Sequence, residues 1–178
     1  KLNNLGSPKT DVHAVFYTTV RKNIVVNINI KNTTVKSVSC HDYRAKDFCR
    51  VVAPNDLDFC KAVNIFQRAG SWGNFKELVR DDEKYKKYIN VIKSYMPKIA
   101  RWAISGAGDI ENLGCKEKQV ANYLLTRNPK TNNCSFITVE EYLKKLDDMP
   151  KNRPGAPFQW TYPSGQRQKI IQLKMPVL

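Results

Sequence analysis

Residues 11–31 read DVHAVFYTTVRKNIVVNINIK, and this stretch decides the fold class. Apolar and polar residues alternate on both sides of a short turn at residues 21–23. In the second arm, Asn27, Asn29 and Lys31 occupy every other position between β-branched residues. A period of two with β-branched residues is typical of strands, so the stretch predicts a β-hairpin with one buried face.

Further strand patterns lie near both ends of the chain. Thr33–Ser39 predicts a third strand, and Phe158–Tyr162 with Arg167–Met175 predicts a second hairpin around a Pro-Ser-Gly turn. Strands at both ends with helices between them indicate an α+β fold. We expect one antiparallel sheet built from the N- and C-terminal strands and packed by a central set of helices. After a flexible lead-in at residues 1–10, residues 11–178 are predicted to form a single domain.

Local capping signals predict the helices between these strands. Asn55 or Asp56 can cap a helix that stops at Gly70, and residues 138–141 (TVEE) form a capping box for a short helix. Pro97 is expected to kink or split the longest helix, because proline removes a backbone hydrogen bond there. The predicted helices cover residues 56–69, 75–79, 81–104, 116–126 and 139–146.

The charge of the chain is its most unusual property. The 178 residues carry 30 Lys and Arg against 16 Asp and Glu, which gives a formal net charge of +14. The excess lies in residues 1–41, 84–108 and 149–178, whereas the two blocks between them are close to neutral. Separate cationic blocks favour positive patches that hold an anionic partner, although like charge also keeps a surface soluble.

The longest predicted helix carries lysine and arginine on the face opposite its apolar stripe, with no acid among them. Exposed helices usually mix signs, because like charges four residues apart repel each other. An anionic partner would explain this cationic helix face, and so would acids from neighbouring segments, such as Glu140 or Asp147, folded against it. The residues predicted to bind a polyanion here are Lys84, Lys87, Lys98 and Arg101.

A second cationic patch is predicted beside the C-terminal hairpin, at Arg153, Arg167 and Lys169. Aromatic residues alternate on the adjacent strand, at positions 158, 160 and 162. Aromatic rings beside cations can stack bases and hold phosphates of a single-stranded nucleic acid. The more frequent arrangement of three alternating aromatic residues is a packed inner face, and both interpretations stay open here.

Five cysteines are present, none of them spaced C-x-x-C, and with two histidines they give no zinc-ligand pattern. Two disulfides and one odd cysteine, Cys60, would fit an extracellular protein, whereas five thiols would fit a cytosolic one. The disulfide candidates are Cys40, Cys49, Cys115 and Cys134. Glycosylation sequons at Asn32 and Asn133 are no more frequent than chance, so they do not decide the location.

The leading interpretation is a non-enzymatic, secreted basic protein that binds a sulfated glycan, an anionic lipid surface or an acidic protein. No cofactor, metal or catalytic residue is predicted for it, and no segment is apolar enough to cross a membrane. One alternative is an intracellular or viral nucleic-acid-binding protein. Another is a small nuclease that uses His13 and His41 as general acid and base.

Overall fold

The computed structural model of the chain describes residues 9–20, 23–106 and 119–178. The strands in these ranges are β1 (Val12–Phe16), β2 (Ile24–Asn32), β3 (Ser37–Tyr43), β4 (Tyr123–Arg127), β5 (Cys134–Thr138), β6 (Gln159–Thr161) and β7 (Ile171–Pro176). The helices are α1 (Ala45–Val52), α2 (Leu57–Ala69), α3 (Trp72–Val79), α4 (Asp82–Ser94), α5 (Met96–Ser105) and α6 (Val139–Asp147).

The chain forms two compact units, each assembled from separate segments. The sheet unit consists of Lys1–Val38, Arg101–Asp147 and Val177–Leu178, and the helical unit consists of Ser39–Ala100 and Asp148–Pro176. Most of the predicted lead-in at residues 1–10 lies outside the described residues, and the single domain over residues 11–178 stays a prediction. Among the described residues, no helix is long and apolar enough to span a membrane.

The sheet unit contains a four-stranded mixed sheet in the order β1-β2-β4-β5. Strand β2 pairs antiparallel with β1 and parallel with β4, so it has a neighbour on each side. Helix α6 follows β5 through the predicted capping box. The Glu141 carboxylate accepts hydrogen bonds from the Thr138 backbone and hydroxyl, and these bonds hold the pKa of Glu141 below its usual value.

The helical unit combines α1 to α4, the first half of α5 and a three-stranded sheet in the order β3-β7-β6. Its core is rich in aromatic side chains. The Phe66 ring centroid lies 4.4 Å from that of Trp72 and 5.2 Å from that of Trp160, and the Phe48 ring packs on Trp160. Burying rings of this size against each other supplies much of the hydrophobic stabilisation of such a unit.

The predicted helix boundaries are confirmed where a local signal sets them. The Asp56 carboxylate accepts from the Phe59 amide at the start of α2, and Gly70 ends this helix in a left-handed conformation that suits glycine. The predicted long helix is split, as expected at Pro97: α4 ends at Ser94 and α5 begins at Met96.

The α+β class is confirmed, and the structure corrects two details of it. The N-terminal hairpin pairs with β4, while the C-terminal hairpin pairs with β3, so the strands of the two ends form two sheets rather than one antiparallel sheet. The helix predicted over residues 116–126 is wrong in its second half, because residues 123–127 form β4. Pairing with β2 and β5 overrides the helical spacing of this segment.

Candidate active site

One face of the central strand β2 is polar and buried. Asn27, Asn29 and Lys31 share this face, because side chains alternate along a strand. The two asparagines are 4% and 1% exposed, whereas Val26, Ile28 and Ile30 on the other face are only half-buried. Burying an amide costs free energy unless its hydrogen bonds are replaced, so the partners of each asparagine indicate its role.

Asn27 is fully used in holding the sheet unit together. Its side-chain nitrogen donates to the Val120 carbonyl at 2.8 Å, and its side-chain oxygen accepts from His13 Nδ1 at 2.6 Å. Its backbone amide donates to the Asn122 side chain at 2.7 Å. These bonds join β1, β2 and the segment before β4, so Asn27 is a structural residue.

Asn29 has a different hydrogen-bonding pattern. Its side-chain nitrogen donates to the Ile104 carbonyl in the last turn of α5 at 2.7 Å, which fixes the orientation of the amide. Its side-chain oxygen Oδ1 is buried and accepts no hydrogen bond from any described residue. An unpaired buried acceptor costs about 1–3 kcal/mol, so this oxygen is a candidate ligand for a cation or a hydrogen-bond donor.

The Asp11 carboxylate belongs to the same site as Asn29. The register that pairs Val12 with Ile28, continued by one residue, puts Asp11 opposite Asn29. The Asp11 carboxylate accepts from the Ile30 amide at 2.6 Å, which holds it against β2. His13, two residues further along, contacts Asn27 on the polar face, so Asp11 belongs to this face as well.

Lys31 completes the group as the next residue of β2 on the polar face, and it is half-buried. The site therefore combines an exposed carboxylate, an unpaired amide oxygen and an ammonium group on one face of the sheet. Oxygen ligands of this kind suit a hard divalent cation, and a lysine beside them suits a phosphate group. Among the described residues no cluster of three or more His, Cys, Asp or Glu side chains could hold a metal ion, so any cation here must use a sparse set of ligands.

Three of the four cations predicted on the helix face are already bonded to groups of the protein itself. Lys87 forms an ion pair with Asp58 at 2.6 Å, and the pKa of that carboxyl is lowered by the hydrogen bond. Lys98 donates to the Val52 carbonyl. Arg101 pairs with Glu140 through both guanidinium nitrogens, as the acid-partner alternative predicted, and the bond lowers the pKa of Glu140. The role of Lys84, Lys87, Lys98 and Arg101 in binding a polyanion stays a prediction.

The second predicted patch is exposed at all three of its cations, Arg153, Arg167 and Lys169. The Arg167 guanidinium lies over the Tyr162 ring at 5.4 Å from its centroid. Of the alternating aromatic residues, Phe158 and Trp160 are buried, which supports the packed inner face over the base-stacking platform.

The disulfide prediction is wrong for the cysteines that the structure describes. Cys40, Cys49 and Cys134 are free thiols, as is Cys60, and Cys115 lies outside the described residues. Burial, together with the neighbouring Cys60, raises the pKa of Cys49 to about 12, which keeps it an unreactive thiol.

The two histidines belong to different units, and each has contacts within its own unit. His13 belongs to β1 of the sheet unit, and its ring nitrogen is used by Asn27. His41 belongs to the helical unit, where it is 2% exposed, stacks on Tyr43 and contacts the edge of Phe48. A nuclease built on these two rings therefore has no support from the geometry.

Comparison with known proteins supplies the context for the polar face of β2. The family model described as restriction endonuclease MspI matches residues 1–175 of the chain.

The chain belongs to the MspI restriction endonuclease family.

Two curated relatives and one solved structure agree with this assignment. The chain is 29% identical to the type II restriction enzyme BsuFI of Bacillus subtilis over 97% of its own length, and 26% identical to the type II restriction enzyme MspI of Moraxella sp over 95%. The fold matches the crystal structure of restriction endonuclease MspI in complex with its cognate DNA, with a TM-score of 0.75, 22% identity and 95% of this chain covered. The chain spans 41% of the length of BsuFI and 64% of that of MspI, including the MspI chain in the crystal structure.

Membership of the MspI family overturns several predictions made from the sequence. The leading interpretation, a non-enzymatic binding protein, is wrong, because the matching family model describes a restriction endonuclease. The family supports the alternatives better, a nucleic-acid partner and a nuclease, although not through the two histidines. The extracellular location is wrong on the same finding, and the free thiols remove the disulfides that would have fitted it. Of the predicted partners, the MspI family supports a nucleic acid and does not support a glycan, a lipid surface or an acidic protein.

Sequence reasoning missed Asp11, Asn29 and Lys31 because it considered charge before burial. The available signal was polar residues at every other position of a strand whose flanking residues are β-branched. Alternation alone does not tell which face of a strand a helix covers, so the asparagine face was not considered as the buried one.

Proposed function

We propose that this member of the MspI family hydrolyses phosphodiester bonds of duplex DNA at the polar face of β2. The single observation that carries this proposal is the group formed by the Asp11 carboxylate, the unpaired Asn29 Oδ1 and the half-buried Lys31. The family membership supports the reaction class, and the group is where the sheet unit offers ligands for a charged phosphate.

A divalent cation is the cofactor that nuclease chemistry of this kind commonly requires, and the residues fit it. Asp11 and Asn29 would hold it through one carboxylate and one amide oxygen, with water and phosphate oxygens as the remaining ligands, as Mg²⁺ prefers. Such a cation, when bound, neutralises charge on the phosphate and lowers the pKa of bound water. The unpaired Oδ1 of Asn29 is the structural observation that supports this fit.

Each residue of the group has a role that follows from its hydrogen bonds or its charge. The Ile104 carbonyl orients the Asn29 amide so that the oxygen, and not the nitrogen, is presented. The Ile30 amide holds one oxygen of Asp11, which leaves the other oxygen for a ligand. Lys31 supplies a positive charge that stabilises the phosphate as negative charge develops on it during the attack of water.

The net charge of +14 supports DNA as the substrate, because DNA is a polyanion. A strongly cationic protein attracts a polyanion from a distance and releases its counterions on contact. This long-range attraction does not require any particular lysine to be unpaired, so it is compatible with the occupied cationic helix face.

The proposal is tested by Asp11→Asn, with Asp42→Asn on β3 as the matched control. Asp42 is an equally exposed aspartate, and it lies in the helical unit. We expect Asp11→Asn to slow Mg²⁺-dependent cleavage of duplex DNA by at least about a hundredfold while DNA binding persists, because charge stabilisation at the reacting phosphate is lost. Cleavage by Asp11→Asn at the rate of the Asp42→Asn protein would contradict the assignment of the site.

A further inference from the structure

A cleft in the helical unit is lined by residues that do not belong to the polar face of β2. This cleft has no role in the proposed reaction. It has a volume of about 630 Å³ and lies between the end of α2, helix α3 and the loop before β7. Four polar side chains that line it, Arg68, Asn74, Arg80 and Gln168, can all donate hydrogen bonds. A cleft of this size accommodates a phosphate group together with its bridging waters.

The two arginines of this cleft have no side-chain partner among the described residues, unlike Lys87, Lys98 and Arg101 of the predicted helix face. Arg68 and Arg80 are exposed, and neither side chain forms a hydrogen bond or ion pair with a described residue. Glu77 lines the same cleft and pairs with neither of them. The cleft therefore keeps two guanidinium groups available, with one carboxylate that reduces its positive potential.

The backbone of the cleft is strained at two of its lining residues. Arg80 has φ 60 and Gln168 has φ 63, in the left-handed region that residues with a side chain rarely adopt. Among the described residues, the other non-glycine residue with a positive φ is Asn132, and asparagine tolerates this conformation. Arg80 and Gln168, the two positions that lack the tolerance of asparagine for a positive φ, therefore both line this cleft.

Arg80 stands where glycine or asparagine would be less costly. It ends α3 as the residue after Val79, and its amide donates to the Lys76 carbonyl at 3.1 Å. Glycine is the usual residue at such a left-handed helix end. Arg80 occupies this position with a side chain that has no partner among the described residues, so the guanidinium is available to a ligand.

We propose that this cleft binds a phosphate of the DNA backbone, through Arg68 and Arg80, in a sequence-independent manner. Arginine suits this ligand because its planar guanidinium can donate two parallel hydrogen bonds to phosphate oxygens. The cleft fixes the position of the duplex and takes no part in cleavage. The inference rests on the proposed function in that DNA is taken as the substrate.

The test measures the affinity for a fluorescent DNA duplex of arbitrary sequence in EDTA over a series of salt concentrations. The variants are Arg68→Gln, Arg80→Asn and the double variant, and asparagine is chosen at position 80 because it tolerates the left-handed backbone. Each lost phosphate contact is expected to reduce the slope of log affinity against log salt by about 0.9. Glu77→Gln is expected to tighten binding, because it removes the one negative charge of the cleft.

Lys144→Gln is the matched control, since it removes one positive charge from an exposed residue of α6 in the sheet unit. It is expected to leave the slope unchanged. Arg80→Gly adds a readout that a merely structural arginine would not give: an unfolding midpoint equal to or above that of the wild type, together with weaker DNA binding. If Arg68→Gln does not fold, Arg80→Asn alone carries the test.

An unchanged salt slope in the folded variants overturns the proposal. The outcome is separable from that of the proposed function, because binding in EDTA requires no cleavage. A protein that fails to cleave DNA but loses slope in these variants supports the cleft and contradicts the nuclease.

Discussion

The cationic face of α4 and α5 and the polar face of β2 contrast in how their polar groups are used. The helix face has the higher charge, but Lys87, Lys98 and Arg101 are each bonded to a group of the protein. The strand face has fewer charges, but Asn29 keeps a buried oxygen without a partner. In a folded protein most buried polar groups are paired, so the unpaired one is the more informative signal of a ligand.

The contrast shows that charge counted along a sequence does not measure charge available to a partner. A lysine that pairs with a neighbouring carboxylate contributes to the overall field but makes little direct contact with a ligand. By the same criterion Arg68 and Arg80, which have no side-chain partner in the described structure, are better candidates for DNA contact than Lys87 and Lys98. The predictions below test the contrast from the largest expected effect to the smallest.

The largest effect is expected at Asn29. Asn29→Leu removes the unpaired oxygen, so we expect cleavage of duplex DNA to fall by at least about a hundredfold. The substitution leaves the Ile104 carbonyl without its donor, which costs about 1–3 kcal/mol of stability. Burying an apolar side chain at this position offsets part of that cost. Cleavage assays and urea denaturation of the same preparation measure both quantities. A variant that is active at the wild-type rate would show that the oxygen has no ligand in the reaction.

Asn27 provides the opposite result on the same face. Asn27→Leu breaks the bonds to His13 and Val120, so we expect it to lower the free energy of unfolding by about 2–4 kcal/mol and by more than Asn29→Leu does. Urea denaturation measures the difference between the two variants. If Asn29→Leu is the more destabilising of the two, the distinction between a structural and a functional asparagine fails.

A smaller effect is expected at the Arg101–Glu140 pair, which is exposed. Its bond lowers the pKa of Glu140, so its stabilising effect is present above the usual glutamate pKa and is lost as the pH falls through the lowered value. Arg101→Gln should therefore cost no more than about 1 kcal/mol at neutral pH. Thermal unfolding of both proteins at neutral and strongly acidic pH checks this, since the difference should vanish in acid. A difference that persists in acid would indicate that Arg101 acts through packing.

The fold was predictable from the sequence where one short segment decides the structure. The Asp56 cap, the Gly70 stop, the split at Pro97 and the capping box at Thr138 depend on neighbouring residues, and all are confirmed. The pairing of β4 with β2 joins residues about a hundred positions apart, and no local pattern encodes it. The prediction of a helix there was wrong for this reason.

The candidate site was less accessible to sequence reasoning than the fold. Asp11 lies opposite Asn29 only because the register of β1 with β2 puts it there, and the Asn29 amide is oriented by its bond to the last turn of α5. Both facts depend on tertiary structure. The net charge, in contrast, was available from the sequence and supported an anionic partner, but it could not identify which lysines and arginines remain free.

The comparison of the two faces is tested most directly by single-turnover cleavage of duplex DNA with Lys31→Met and Lys87→Met measured side by side. Each variant removes one ammonium group: Lys31→Met removes it from the polar face of β2, and Lys87→Met removes it from the cationic helix face. We predict that Lys31→Met loses cleavage by at least about a hundredfold and still binds DNA, while Lys87→Met cleaves at the wild-type rate. Equal loss in both variants, or a fully active Lys31→Met, would contradict the assignment of the reaction to the polar face.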